Sequence, residues 1–204
     1  MYDMVADPGQ KQGVAKENPD VLRSLTEAFE AKVKDVTKAG FDPIPVHVGY
    51  ACWPVVTLPG HEAYLEPAPR QGISYVGANG WANDWITNWT DTKAFAWWPL
   101  KVVAPGRFDV SVLYTCAQAN LGTRLRVEVG GRVVEGGVDV AHDPAPLPSP
   151  DRVKRGEVYE KVWATAKLGA MALEPGEMRL VLRAVEIPGE QVCDIKAIRL
   201  ERTT

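Results

Sequence analysis

Two kinds of hydrophobic spacing divide this chain. Between Asn18 and Gly40, apolar residues recur at steps of three and four: Leu22, Leu25, Phe29, Val33 and Val36. Asn18 stands at an N-cap position, Pro19 at the first helical position and Asp20 in the first turn, while Lys38 and Gly40 supply a stop. The spacing predicts one amphipathic helix over about 19–38. From Phe41 the period changes to two. Phe108, Val110, Val112, Tyr114 and Cys116 fall on one face, and Asp109, Ser111 and Thr115 on the other, which is the pattern of a half-buried strand. Leu125, Val127 and Val129 alternate with Arg124, Arg126 and Glu128, and Gly130-Gly131 joins them to Val133 as a tight hairpin. Met178, Leu180, Leu182 and Ala184 form a further inward face. In the last run, Ile195 is followed by Ile198 and Leu200, a phase shift that predicts a bulge near Ala197.

Pro-Gly pairs at 59–60, 105–106, 175–176 and 188–189 punctuate these runs. Many short strands at even turn spacing predict a mainly β protein, an antiparallel β-sandwich of jelly-roll type preceded by one α-helix. The expected division is 1–42 for the helical lead and 43–204 for the sandwich, with Pro43 and Pro45 as a stiff link. Asp139–Gly156, with four prolines, is read as an irregular loop that is functional or binds a partner. In it Asp143, Arg152, Lys154 and Arg155 could reach a partner, the last two suiting sulfate groups.

Composition narrows the function. At 204 residues the chain can bury a core without covalent staples, and its net charge is −3. Residues 1–40 carry 6 Lys/Arg against 7 Asp/Glu and the rest 17 against 19, so no basic stripe for nucleic acid or an anionic membrane exists. No apolar run approaches the roughly 20 residues that span a bilayer, and Tyr-Asp directly after Met1 is not a signal peptide. The compartment stays open. Cys52, Cys116 and Cys193 form no C-x-x-C pair; Cys116 and Cys193 read as buried strand residues, with one disulfide left open.

Five of the seven tryptophans (Trp81, Trp85, Trp89, Trp97, Trp98) fall between residues 81 and 98. Gly80 and the polar residues Asn83, Asp84, Thr87, Asn88, Thr90 and Asp91 argue for an extended or looped segment there. The first three indoles are expected on one side of it. Indole faces stack on the C–H faces of sugars while neighbouring amides and carboxylates take the hydroxyls. Trp81, Asn83, Asp84, Trp85, Asn88 and Trp89 are therefore the candidate ligand-binding set. The competing reading packs the indoles in the core, and two exposed indoles side by side would decide between them. His47, His61 and His142 lack the spacing of a helical metal pair, and no nucleophile, base and orienter stand in recognisable context.

Two stretches resemble known families. Residues 1–32 resemble the end of a type I sulfatase, the arylsulfatase family, in which a Tyr-Asp…Asp-Pro segment leads into a helix. Tyr2, Asp3, Asp7, Pro8 and Gly9 match; Gln10 replaces an acidic residue and Val14 an Asn-Leu pair. Residues 60–202 resemble the galactose-binding-like sandwiches of carbohydrate-binding modules. The carriers are His61–Glu66, Gly80-Trp81, Trp97 to Val110 and Leu173 to Leu200. Together they imply a non-catalytic accessory region of an exported sulfatase, periplasmic or secreted, with Met1 not the natural start. Its partner would be a sulfated glycan or the sulfatase catalytic domain itself. Cys52-Trp53-Pro54-Val55-Val56 gives C-x-P but lacks the arginine of the sulfatase C-x-P-x-R signature, so this chain is expected not to be an enzyme. The sandwich resemblance also implies a structural calcium between Glu62 or Glu66 and Asp194, although calcium takes six to eight oxygens and the sequence offers at most three carboxylates.

Overall fold

The computed structural model describes residues 1–67, 71–77, 80–153 and 156–203, and falls into two compact units, Met1–Pro43 and Ile44–Thr204. In the first, two aspartates organise the lead. The Asp3 carboxylate accepts the N–H groups of Val5 and Ala6, and Asp7 accepts that of Gln12 at 2.7 Å. Helix α1 follows at Pro19–Thr37. Asn18 sits at its N-cap, but its side-chain amide donates to the Val14 carbonyl at 3.0 Å and caps nothing. Held in the preceding turn, its side-chain oxygen accepts no N–H of the first helical turn.

Among the described residues the second unit holds twelve strands: β1 Val46–Val48, β2 Val55–Pro59, β3 Tyr64–Glu66, β4 Ser74–Tyr75, β5 Ile86–Thr87, β6 Phe95–Val102, β7 Gly106–Thr115, β8 Thr123–Val129, β9 Arg132–Val138, β10 Ala164–Leu173, β11 Gly176–Glu186 and β12 Asp194–Thr203. One sheet runs β1-β6-β11-β8-β9, with β3 also on β6. The other runs β10-β7-β12-β5-β4, with β2 also on β12. Among the described residues only the β1–β6 pairing is parallel. The protein is a β-sandwich, as the period-two runs predict. Strand order follows from the connections: β6 and β7 are joined by three residues yet lie in different sheets, so the chain crosses the core edge there.

The inward faces are those read from the alternation. Phe108, Val110, Val112 and Tyr114 of β7 meet Trp98 and Leu100 of β6 and Leu180 and Leu182 of β11 in one buried cluster. The Trp98 indole N–H donates to the Pro59 carbonyl at 2.9 Å, tying one sheet to the other. Gly130 and Gly131, at φ +53° and +78°, make the two-residue turn between β8 and β9, a conformation with two positive φ angles that side chains resist. The β7–β12 register slips between Ile195 and Ala197, placing the expected bulge at Lys196. The Pro105-Gly106 turn comes out differently: Gly106 already belongs to β7, and Val103 to Pro105 make the link.

Candidate functional site

Hairpin β4–β5 carries the tryptophan-rich loop. Val76 N–H donates to the Trp85 carbonyl at 3.0 Å and closes the hairpin. At its tip Asp84, buried to 2% exposure, accepts the Trp81 N–H at 3.0 Å through its carboxylate. Gly77 gives that carboxylate room, since a Cβ there would lie 2.6 Å from Asp84 Oδ1. Asp84 therefore shapes the loop from within. Asn83 and Asn88 sit at positive φ, +75° and +48°, which suits short amide side chains, and Asn88 donates to the Ser74 hydroxyl at 3.2 Å.

The three leading tryptophans do not share a face. Trp81 is 57% exposed. Trp85 is buried, and Trp89 is completely so, its indole N–H donating to the Asp91 carbonyl at 3.0 Å. Only two residues of the stretch are strand, so backbone turns at Asn83 and Asn88 break the four-residue register that a regular element would keep. Trp97 packs on the outer face of β6, stacked on Tyr64 with ring centroids 4.3 Å apart, and Trp98 fills the core. The two-indole platform is not formed by these residues.

The long loop supplies what the sequence did not single out. It runs from Asp139 to Trp163, folding back on itself where Leu147 N–H donates to the Glu160 carbonyl and His142 Nε2 lies 2.8 Å from the Val162 carbonyl. This return brings Trp163 edge-on to Trp85, centroids 5.2 Å apart. Lys161 Nζ stands 5.3 Å from the Trp85 ring centre and Lys196 Nζ 5.5 Å from that of Trp163, within the range of cation–π attraction. Lys196, placed by the β12 bulge, also pairs with Glu160 at 3.0 Å and donates to the Asn83 carbonyl at 3.0 Å. The Trp85 indole N–H is buried with no hydrogen-bond partner among the described residues. Such a donor costs about 1–3 kcal/mol, and each one in a native fold calls for an explanation. The clue available in the sequence was a tryptophan one residue beyond Glu160-Lys161-Val162, far from the main cluster.

Beside this group lies a cleft of about 570 Å³, lined by Ala82, Asn83, Asp151, Arg152, Val153 and Glu157. Lys154 and Arg155, expected to meet sulfate, lie outside the described residues. Burial alone would raise the Glu160 carboxyl. The hydrogen bonds from the Trp163 indole, the Lys161 N–H and Lys196, with the charge of Lys196, outweigh it and hold the group below its ordinary value of 4.5. A depressed carboxyl stabilises its surroundings above the unfolded value and loses that contribution as pH falls through the folded one. Below pH 4.5 the Trp163–Glu160 contact is expected to release progressively, shifting Trp163 fluorescence. Glu160→Gln should abolish that step; an acid step of the same size in Glu160→Gln would refute its assignment to this contact.

The expected calcium ligands do not assemble. Asp194 accepts hydrogen bonds from Thr87 at 2.7 Å and Thr115 at 3.4 Å, and Lys161 Nζ lies 3.4 Å from its carboxylate. Glu66 belongs to β3 in the opposite sheet, and Glu62 is exposed on the short turn Gly60–Glu62. Among the described residues no three His, Cys, Asp or Glu side chains converge. A carboxylate already facing an ammonium group does not fit a cation site.

No family model and no curated protein matches the sequence. Solved structures are similar. The Cry4Aa toxin of Bacillus thuringiensis aligns with TM-score 0.53 and 11% identity over 81% of this chain and 25% of that one. A GH26-CBM35 β-(1,4)-mannanase of Podospora anserina aligns at 0.49 and 13% over 74% and 28%. A family 35 carbohydrate-binding module from Clostridium thermocellum aligns at 0.45 and 12% over 73% and 98%. The chain thus spans only about a quarter of the first two proteins. At 11% identity the Cry4Aa likeness shows the fold alone, and the two sheets give that fold as a β-sandwich.

Proposed function

We propose that the sandwich unit is a non-catalytic carbohydrate-binding module that takes its sugar at the β4–β5 loop. The observation that carries this is Trp81, an indole 57% exposed on a loop whose next residues, Ala82 and Asn83, line the cleft. The indole offers a stacking face, and Asn83, Asp151, Arg152 and Glu157 offer hydrogen-bond partners for hydroxyls. The ligand is read as a neutral glycan because Lys161 and Lys196 are each already paired with carboxylates, leaving stacking and hydroxyl hydrogen bonds to hold the sugar. Titration of the chain with neutral and sulfated polysaccharides should give binding to a neutral one that changes little with salt. Trp81→Ala should weaken it about tenfold or more, while Trp53→Ala, another exposed indole, should not. Binding unaffected by Trp81→Ala, or no binding to any polysaccharide, would sink the proposal. Preference for a sulfated chain, weakening with salt, would replace the neutral ligand.

The finer reading makes the chain the accessory region of a sulfatase. What supports it is that the matched residues Asp3 and Asp7 are those that fix the lead turn. Its test is the upstream nucleotide sequence. A reading frame continuing into a sulfatase domain supports it, and an in-frame stop codon directly before Met1 overturns it.

A further inference from the structure

The three cysteines are unequally placed. Cys116 and Cys193 are 1% and 2% exposed and belong to the same core cluster, while Cys52 is exposed. The β7–β12 register sets Asp194 opposite Thr115 and Ile195 opposite Tyr114. One step beyond, Cys193 stands opposite Cys116, and residues opposed across an antiparallel pair share a face of the sheet. Cys116 spends its own N–H and carbonyl on His142, at 2.7 and 2.9 Å. With Cys193 on the β12 flank of β7, those bonds take the other flank, so no backbone hydrogen bonds run between the two cysteines. In such pairs the Cα atoms approach to about 4.5 Å, inside the range of about 4.4–6.8 Å that a disulfide spans. Cys52 is out of reach. It precedes Pro54, whose carbonyl accepts the Arg202 N–H near the far end of β12, roughly 30 Å along that strand from Cys193.

The two thiols already interact. A hydrogen bond from the Cys193 thiol holds Cys116 below its ordinary value of 9.0 against the effect of burial, and the same bond, with burial, pushes Cys193 up. Cys116 is thus the readier thiolate. We propose that Cys116 and Cys193 are joined by a disulfide, made by exchange with a low-molecular-weight disulfide such as glutathione disulfide while the chain folds. The Cys116 thiolate attacks one sulfur of the oxidant and releases one glutathione; Cys193 then attacks the Cys116 sulfur and releases the second. The two protein thiols are oxidised, and the oxidant leaves as two glutathione thiols carrying their protons. Exchange precedes closure of the sandwich, which buries both sulfurs. The bond closes a loop of roughly 80 residues and ties down the start of β12. There the Val192 N–H donates to the Trp89 carbonyl at 2.8 Å and Asp194 faces Lys161, so the tryptophan loop and this ion pair both rest on the tied segment.

The test uses the full chain with Cys52→Ser, which leaves the two buried thiols alone. Reduced and unfolded in guanidinium, it is refolded with either a glutathione redox buffer or dithiothreitol, then unfolded and alkylated. The dithiothreitol sample should take up an alkyl group at both cysteines and the glutathione sample at neither. Trypsin should release from the latter the peptides 108–124 and 184–196 joined, separating on reduction. Before alkylation, the cross-linked protein should melt about 5–15 °C above the reduced one. Cys193→Ala in the same background should melt alike in both buffers. Already folded, reduced chain should oxidise at least about tenfold more slowly than refolding chain. Alkylation of both cysteines at every glutathione ratio, glutathione retained on each in place of a cross-link, or a cross-linked chain that melts below its reduced form overturns the proposal. Equal oxidation rates in folded and refolding chain overturn its placement during folding.

Discussion

Trp98→Ala is expected to remove about 3–5 kcal/mol of stability, a large share of the 5–15 kcal/mol typical of a whole domain. Trp98 is fully buried at the middle of β6, and its indole N–H spans the sandwich to the Pro59 carbonyl on β2. Truncation removes the ring from between two sheets that cannot collapse into the space, since each is held by its own ladder. Trp98→Phe keeps most of the volume and loses the inter-sheet hydrogen bond, so its cost should be nearer 1–2 kcal/mol. Trp97→Ala supplies the contrast. It sits on the outer face of the same strand, under Tyr64 and Arg179, and removing it leaves the core intact. Guanidinium unfolding of the three variants measures the order. A Trp98→Ala protein within about 1 kcal/mol of wild type would mean that the two sheets are not packed through this residue.

Asp194→Ala carries the second-largest expected effect, about 3 kcal/mol. The carboxylate receives two hydroxyl hydrogen bonds and faces Lys161, with side-chain exposures of 13% for Lys161 and 16% for Asp194. Its loss would leave a mostly buried ammonium with, among the described residues, the exposed Asp143, 3.8 Å away, for a counter-charge. The damage is local to the site: Lys161 stands over Trp85 and belongs to the loop that carries Trp163. Asp194→Ala should therefore also shift tryptophan fluorescence before global unfolding. Pairing it with Lys161→Met should recover part of the loss, because the unpaired charge is then gone. If Asp194→Ala unfolds at the wild-type urea concentration, the pair contributes no net stability, and Lys161 has found solvent instead.

Both predictions rest on residues that the sequence treated unequally. Trp98 was legible only as one of five clustered indoles for which core packing competed with a sugar platform, and its place between Ala96 and Leu100 on β6 decided for the core. Asp194 was legible only as an acidic residue near the start of the closing strand, and the resemblance suggested a cation beside it. The structure puts Lys161 in that place, carried in by a loop more than thirty residues away in the chain. The tryptophan loop shows the same boundary. Its polar residues correctly indicated irregular backbone, but which indole faces outward depended on turns at Asn83 and Asn88 and on the depth of Asp84.

What the amino-acid order determined by itself is a set of local elements: the helix with its stripe, the inward faces of β7, β8 and β11, the Gly130-Gly131 turn and the β12 bulge. Each is a matter of neighbours within a few residues, where side-chain periodicity and backbone preference act directly. Tertiary structure decided which strands became neighbours, which tryptophan stayed at the surface, and that Trp163, Lys161 and Lys196 would meet around Trp85. Those outcomes join segments far apart in sequence, and they follow from how two sheets can bury their apolar faces together, a constraint no local pattern records.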